Sequence, residues 1–125
     1  MNAERWLALI EDPGVLMLVA EDERELLGFA TSGESRDEDA DPSVGEVRSF
    51  FVAAGRWGQG VGRELMAAAL HALRERGYTE TTVWSFAANE RANVFYERTG
   101  FARDGAEKTE AAWAHLTEIR FRRSL

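Results

Sequence analysis

Three glycines at alternate positions, Gly58, Gly60 and Gly62, lie between an apolar run and a long helical pattern in "FFVAAGRWGQGVGRELMAAAL". A glycine-rich turn between a strand and a helix can bind an anion, because the first helical amides have no intrahelical acceptor and the helix dipole adds positive potential. Without Cβ atoms, a diphosphate can approach these amides closely. The alternative is a tight turn in which the glycines serve only close packing of the helix on the strand.

Two common nucleotide-binding motifs do not fit this loop. A P-loop has Lys and then Ser or Thr after its last glycine, whereas Gly62 is followed by Arg63 and Glu64. The dinucleotide fingerprint has its third glycine where this chain has Arg63 or Leu65, depending on which glycine is taken as the first. Both mismatches disfavour a nucleotide-binding regulator.

A second motif follows one helix and one strand later, in "NERANVFYERTGF". Together the two segments resemble the GNAT family of acetyl-coenzyme A-dependent N-acetyltransferases. The family's glycine signature, (Gln/Arg)-x-x-Gly-x-(Gly/Ala), is matched at Gly60 and Gly62, while Trp57 stands in place of Gln or Arg. The family's second motif is matched at Asn89, Ala92, Tyr96, Glu97, Gly100 and Phe101.

The resemblance implies a site for acetyl-coenzyme A as co-substrate. The diphosphate would bind the main-chain amides of the glycine loop, with two nearby arginines adding charge-assisted contacts. The pantetheine arm would pair like an added strand with the end of the preceding strand, where an amide would polarise the thioester carbonyl. Asn89 would bind the pantetheine amide, and it is also available as a helix N-cap. The expected coenzyme-binding residues are Phe51, Val52, Ala53, Arg56, Trp57, Gly58, Gln59, Gly60, Val61, Gly62, Arg63 and Asn89.

The resemblance also implies two catalytic residues. Tyr96 would give a proton to the departing thiolate, since a phenol with a pKa near 10 stays protonated where a thiol with a pKa of about 8.5 ionises. The alternative for Tyr96 is a core tyrosine. Glu46 would accept a proton from the amine, which is mostly protonated at neutral pH. The alternatives are a solvent-facing Glu46 and His115 as the base. Candidate residues for the acceptor pocket are Trp84, Phe86, Trp113 and His115.

Composition sets limits on the class of protein. The chain has 125 residues, of which 45% are hydrophobic and 30% charged, as expected for one soluble domain spanning 1–125. It has no cysteine and two histidines, which excludes disulfides and a cysteine nucleophile and predicts no metal site. The net charge of −7 argues against nucleic acid and anionic membranes as partners. We identify no signal peptide or membrane span, so a cytoplasmic location is expected.

Acidic residues are concentrated in the segment Gly33–Ser43, "GESRDEDADPS". Its composition predicts a solvated, mobile loop. The functional alternative is a funnel that attracts a cationic amine, through Glu34, Asp37, Glu38, Asp39 and Asp41.

Hydrophobic periodicity predicts a mixed α/β sheet flanked by helices. Trp6, Leu7, Leu9 and Ile10 have helical spacing and predict a first helix. A long helix is predicted over 61–76, ended by Gly77. A short helix begins near Asn89 and ends before Gly100. Strands are predicted at 15–22, 26–33, 44–54, 79–86, 101–110 and 114–123.

The GNAT resemblance extends from the predicted first helix to the C-terminus, and it implies a GNAT fold that lacks the family's usual first strand and first helix. The missing segment would leave apolar surface uncovered, which predicts a homodimer. The expected activity is direct transfer of an acetyl group from acetyl-coenzyme A to a primary amine, on a small molecule or a peptide, in a ternary complex. The alternative is a non-catalytic coenzyme-binding sensor or partner subunit with the same fold.

Overall fold

A computed structural model describes residues 14–23, 25–110 and 116–125, and the backbone of residues 5–12. Within these ranges the chain forms seven strands and two α-helices, and a single 3-10 turn, Ala54–Arg56, precedes the first helix. In chain order the elements are β1 Arg5–Asp12, β2 Val15–Asp22, β3 Glu25–Glu34, β4 Val44–Val52, α1 Val61–Glu75, β5 Glu80–Phe86, α2 Glu90–Arg98, β6 Ala102–Lys108 and β7 Glu118–Ser124.

The strands form one mixed sheet in the order β1-β2-β3-β4-β5-β7-β6. Every neighbouring pair is antiparallel except β4 and β5, which are parallel. A parallel pair requires a crossover connection, and α1 provides it. The predicted mixed sheet flanked by helices is therefore confirmed.

The helix predicted at the start of the chain is wrong, because these residues form β1. This strand is antiparallel to β2, in a register that runs from Arg5 opposite Glu21 to Ile10 opposite Leu16. A short apolar run fits the strand period as well as the helix period, so periodicity alone does not decide between them. The turn before β2 brings the run beside that strand, and pairing there gives its main-chain groups hydrogen-bond partners.

Helix α1 buries one face against the sheet, as its sequence pattern predicts. The buried residues recur at helical spacing and are Val61, Leu65, Met66, Ala69, Leu70 and Leu73. Gly77 follows the helix with a φ of 93°, a left-handed value that favours glycine at a helix end. At the other end, Val61 packs with Ala20, Leu27 and Val52. This contact fixes the beginning of α1 against the end of β4.

A β-bulge divides β4 into two halves. Thr31 of β3 is opposite Ser49, but Ser32 is opposite Val47, so Arg48 is an extra residue in β4. The bulge lets both Val47 and Phe50 face the helices, although strict alternation would place them on opposite faces. Phe51 faces the other way and packs on Phe29, with ring centroids 5.4 Å apart. We call that side, opposite α1 and α2, the second face of the sheet.

Candidate functional site

The parallel strands β4 and β5 pair only over their first halves. Their register runs from Val44 opposite Glu80 to Val47 opposite Val83 and stops there. After the bulge, β4 continues to pair with β3 alone, and the end of β5 pairs with β7 alone. The two strand ends therefore leave a gap in the sheet, and the glycine loop begins beside it, directly after β4.

Main-chain groups of Val52 point into this gap. The amide of Ala53 donates to the carbonyl of Leu27 in β3, at 2.8 Å. Successive peptide groups of a strand point in opposite directions, so the amide and the carbonyl of Val52 both point away from β3. The GNAT resemblance predicts that a main-chain amide at the end of this strand polarises a thioester carbonyl. The Val52 amide is one such group.

The three glycines of the loop have two different roles. Gly58 and Gly60 have left-handed backbones, with φ of 78° and 87°, and a Cβ built on either would meet no heavy atom within 4 Å. Gly60 is also the N-cap of α1, which leaves the first helical amides open toward that empty side. Gly62 instead serves packing, since its Cβ would meet the Phe95 ring at 3.2 Å. The packing alternative therefore holds for Gly62, while Gly58 and Gly60 leave room for a ligand.

Arg56 forms an ion pair with a carboxylate of β3. Its Nη2 and Nε atoms donate to the two carboxylate oxygens of Glu25, at 2.6 and 3.2 Å. Hydrogen bonding to Glu25 raises the pKa of the Arg56 guanidinium above its ordinary value. An anion at Arg56 would therefore share this arginine with Glu25, whereas Arg63 is exposed on the first turn of α1. Gln59 lies in the loop before α1, and its side-chain amide donates to the carbonyl of Gly55.

The side chain of Trp57 spans the site. Its Nε1 donates to the carbonyl oxygen of Val52 at 2.9 Å, and the guanidinium of Arg91 lies 3.9 Å from the ring centroid. The indole therefore connects the loop before α1 with the first turn of α2. Sequence reasoning considered only the amide of Trp57 and missed Arg91. The sequence feature that could have indicated the Trp57 side-chain contacts, and with them Arg91, was the tryptophan in place of the family's Gln or Arg.

Tyr96 lies in the core beside the site. Its ring is 7% exposed and packs among Phe95, Phe101 and Phe121, with centroid distances of 5.7, 6.0 and 5.6 Å. Burial raises the pKa of Tyr96 to about 12, so the phenol keeps its proton throughout the physiological range. Tyr96 is therefore a core residue, as the alternative expected. Its protonated phenol is also compatible with the predicted role of proton donor.

Asn89 caps α2 through its side chain, whose Oδ1 accepts from the amide of Ala92 at 3.2 Å. A neighbouring residue that sequence reasoning missed, Asn93, fixes α2 to the end of β5. Its Oδ1 accepts from Ser85 at 2.7 Å, and its Nδ2 donates to the carbonyl of Phe86 at 3.3 Å. Nothing in the sequence distinguished Asn93 from an ordinary helix residue.

Glu46 is buried, so the alternative of a solvent-facing glutamate is wrong. The residue is 2% exposed, and its carboxylate accepts from the main-chain amide and the Nη2 of Arg36, at 3.0 and 2.9 Å. It precedes Val47 and thus lies on the second face, opposite Thr82 of β5. The buried Oγ1 of Thr82 has no hydrogen-bond partner in the described part of the chain. A carboxylate therefore lies where the parallel pairing ends.

Hydrogen bonds attach the acidic segment to the sheet, which contradicts the prediction of a mobile loop, whereas most of its acidic residues are exposed to solvent as predicted. Asp37 accepts from the indole of Trp84 at 3.0 Å and from Arg120 at 3.1 Å. Asp39 accepts two hydrogen bonds from Arg120, both 2.8 Å, and they lower the pKa of the Asp39 carboxyl below its ordinary value. Arg120 also donates to Asp104 at 2.6 Å. We call these four residues, Arg120 and its three aspartates, the Arg120 cluster.

The cluster changes what the acidic segment offers to a cationic molecule. The carboxylates of Asp37 and Asp39 already face Arg120, and Asp41 accepts hydrogen bonds from Ser43. Glu34, Glu38, Asp39 and Asp41 are exposed, and Asp37 is half-buried. Of the residues predicted to line an acceptor pocket, Trp84 lies half-buried next to the cluster and Phe86 ends β5. Trp113 and His115 lie outside the described residues.

Neither helix in the described ranges has the length and apolar character needed to cross a membrane.

Comparisons with known proteins agree with the fold. Residues 1–101 match the acetyltransferase (GNAT) family. A mycothiol acetyltransferase of Rhodococcus jostii is 35% identical over 104 residues, which are 82% of this chain and 33% of that protein. The chain thus spans about a third of the length of this relative.

Solved structures share the fold. A ribosomal-protein-alanine N-acetyltransferase from Brucella melitensis is 26% identical, with a TM-score of 0.73 over 89% of this chain and 69% of that chain. A Bacillus anthracis protein solved in complex with acetyl coenzyme A has a TM-score of 0.78 at 18% identity, over 93% of this chain and 65% of that chain. The chain belongs to the GNAT acetyltransferase family.

Proposed function

We propose that the chain transfers an acetyl group from acetyl-coenzyme A to a primary amine, by direct transfer in a ternary complex. The observation that carries the proposal is Gly60 at the N-cap of α1, open on its outer side and adjacent to the gap between β4 and β5. This combination offers amides for a diphosphate beside a strand edge for an extended arm. The complex of the Bacillus anthracis protein with acetyl coenzyme A supports the choice of ligand.

The coenzyme would bind in two segments. Its diphosphate would accept hydrogen bonds from the first amides of α1, where the helix dipole is also favourable. Its pantetheine arm would follow the unpaired edge of β4 from Ala53 toward Phe51, with the Val52 amide donating to the thioester carbonyl. As charge develops on that oxygen, a fixed amide stabilises it without further reorganisation.

The reaction needs one proton removed and one supplied. Glu46 would take the proton from the acceptor ammonium on the second face, directly or through water, and Arg36 would fix the carboxylate in place. The neutral amine would then attack the thioester carbon, and the carbon–sulfur bond would break. Tyr96 would protonate the sulfur, since its raised pKa keeps the proton on the phenol until the thiolate forms.

The acceptor is an amine on a small molecule or a peptide. The similar proteins carry different names, a mycothiol acetyltransferase in one case and a ribosomal-protein-alanine N-acetyltransferase in another, and so do not point to one acceptor. A screen of amines, polyamines, aminoglycosides, amino acids and peptide N-termini, read by release of free thiol, identifies the class. Coenzyme binding without thiol release from any of these acceptors would favour the non-catalytic sensor instead.

Gly60→Ala is expected to weaken coenzyme A binding at least tenfold in calorimetry. The new methyl group would occupy the empty side of the loop, where the diphosphate has to approach the amides. A φ of 87° also strains alanine, so the control is Gly77→Ala, at φ 93° and with equally open surroundings at the far end of α1. The control should lose similar stability and keep its affinity. Unchanged affinity in Gly60→Ala would place the diphosphate elsewhere.

We also propose a homodimer formed through the part of the second face around Phe29 and Phe51, at the opposite end of β4 from Glu46. Phe51 is 43% exposed there and packs only partly on Phe29, which is the kind of apolar surface that a second copy covers. Sedimentation at micromolar concentration is expected to give the mass of two chains. A single-chain mass at that concentration would rule out the dimer.

A further inference from the structure

We infer that Trp57 is a gate on the edge of β4: its indole N–H donates to the Val52 carbonyl, and the pantetheine arm has to displace it. The inference rests on the proposed function, because it takes the coenzyme as the molecule that approaches this edge. It concerns a side chain for which the family signature has a different residue type.

The first step is the direction of the Val52 carbonyl. This group points into the gap, since the next amide, that of Ala53, donates to Leu27 on the opposite side. An extended ligand with amide groups adds to a strand edge by using such outward carbonyls and amides. The Val52 carbonyl is therefore one of the groups that the pantetheine arm would use.

The second step is that this carbonyl is already occupied. The Nε1 of Trp57 lies 2.9 Å from it, an ordinary distance for an N–H···O hydrogen bond. A second donor approaching along the gap would compete for the same oxygen and would meet the indole ring. The amide of Val52, by contrast, stays available to the arm.

The third step is what holds the indole in this position. The guanidinium of Arg91 lies 3.9 Å from the centroid of the Trp57 ring, within the range of a cation–π contact. The residue is 48% exposed, so the indole can turn outward without opening the core. Its departure would also release Arg91, which is exposed at the start of α2, for contact with a phosphate of the same ligand.

Trp57→Phe tests the gate, because it keeps a ring for Arg91 and removes the N–H donor. We expect coenzyme A to bind about 2- to 10-fold more tightly to this variant, the factor that corresponds to one hydrogen bond no longer broken on binding. The matched ligand is 3′-phosphoadenosine 5′-diphosphate, the nucleotide half of coenzyme A without the pantetheine amides. Its affinity is expected to be equal in the wild type and the variant.

Calorimetry with both ligands separates the outcomes. Tighter binding of coenzyme A alone supports the gate. Unchanged or weaker binding of coenzyme A to Trp57→Phe overturns it, and so does an equal gain for both ligands, since that gain would arise from the diphosphate loop. A wild-type chain that binds neither ligand overturns the proposed function and the gate together. If the wild type binds coenzyme A and Trp57→Phe binds it no more tightly, the gate is excluded and the proposed function is not affected.

Discussion

Tyr96→Phe is expected to lower turnover by roughly 10²–10⁴-fold, with coenzyme A affinity changed little. The substitution keeps the ring among Phe95, Phe101 and Phe121 and removes the proton that the leaving thiolate would take. Burial raises the pKa of Tyr96 to about 12, above that of a thiol, so the transfer is uphill. The expected loss therefore lies toward the lower end of this range. Steady-state kinetics with thiol detection measures it.

Tyr78→Phe is the matched control. Tyr78 is half-buried against the same core cluster, beside Gly45 at the opposite end of β4, and it has no place in the proposed chemistry. Its turnover should equal that of the wild type. Full turnover per folded molecule in Tyr96→Phe, together with reduced stability, would make Tyr96 a core residue only, and the thiolate would then take its proton from water.

The same phenol also affects stability at alkaline pH. The folded chain keeps the Tyr96 proton up to a pKa of about 12, whereas the unfolded chain releases it near 10. The contribution of Tyr96 is thus complete below pH 10 and is lost as the pH rises from there through 12. Denaturant unfolding across this window should show a shallower decline in Tyr96→Phe than in the wild type.

Arg120→Met is expected to lower the free energy of unfolding by about 3 kcal/mol. Arg120 is 6% exposed and holds Asp37, Asp39 and Asp104. Its removal leaves Asp37 and Asp39 without their cation and Asp104 with Arg122 alone. Urea unfolding at pH 7 measures the loss. Arg120→Lys should recover little of it, because a single ammonium does not reproduce the forked contact with Asp39 and reach the other two.

Arg122→Met provides the comparison on the same strand. Its side chain is 27% exposed and binds Glu80 and Asp104, so its removal should cost less than that of Arg120. Removing two of the three carboxylate charges from Arg120→Met, through Asp37→Asn and Asp39→Asn, should recover part of the stability. An Arg120→Met chain as stable as the wild type would show that solvent already compensates these charges.

The cluster also predicts how stability responds to acid. The hydrogen bonds from Arg120 lower the pKa of Asp39 relative to the unfolded chain. That stabilisation is complete above the ordinary pKa of an aspartate, about 3.9, and is lost as the pH falls through the lowered value. Arg120→Met should lack this component of acid sensitivity.

Both helices were predictable from the sequence, and the first strand was not. Six apolar positions define one face of α1. Asn89 marks the beginning of α2, and Gly100 follows its end. Both helices are therefore where they were predicted. The run at Trp6 is too short for its period to be decided, and pairing with β2 makes it a strand. The order of residues around Gly60 and Tyr96 likewise predicted the fold, because both motifs are local in sequence.

Partners that are distant in sequence were not predictable. Asp37 and Arg120 are 83 residues apart, and neither composition nor periodicity connects them. Composition favoured a mobile loop because it counts the acidic charges without the arginine that compensates them. The contact between Glu46 and Arg36, ten positions apart, has the same cause, since the segment between them folds back only when β3 and β4 pair. These contacts determine which acidic groups remain available to an amine.

The bulge at Arg48 has a consequence for anyone who exchanges parts between related chains. Side chains alternate between the two faces of the sheet on either side of Arg48, but the two alternations are out of step by one residue. The pattern therefore changes once within the nine residues of β4. A segment transplanted from a chain without the extra residue would turn Phe50 out of the core and rotate the Val52 amide toward β3. Chimeras should therefore be joined outside β4, with the whole strand and the following loop taken from a single parent.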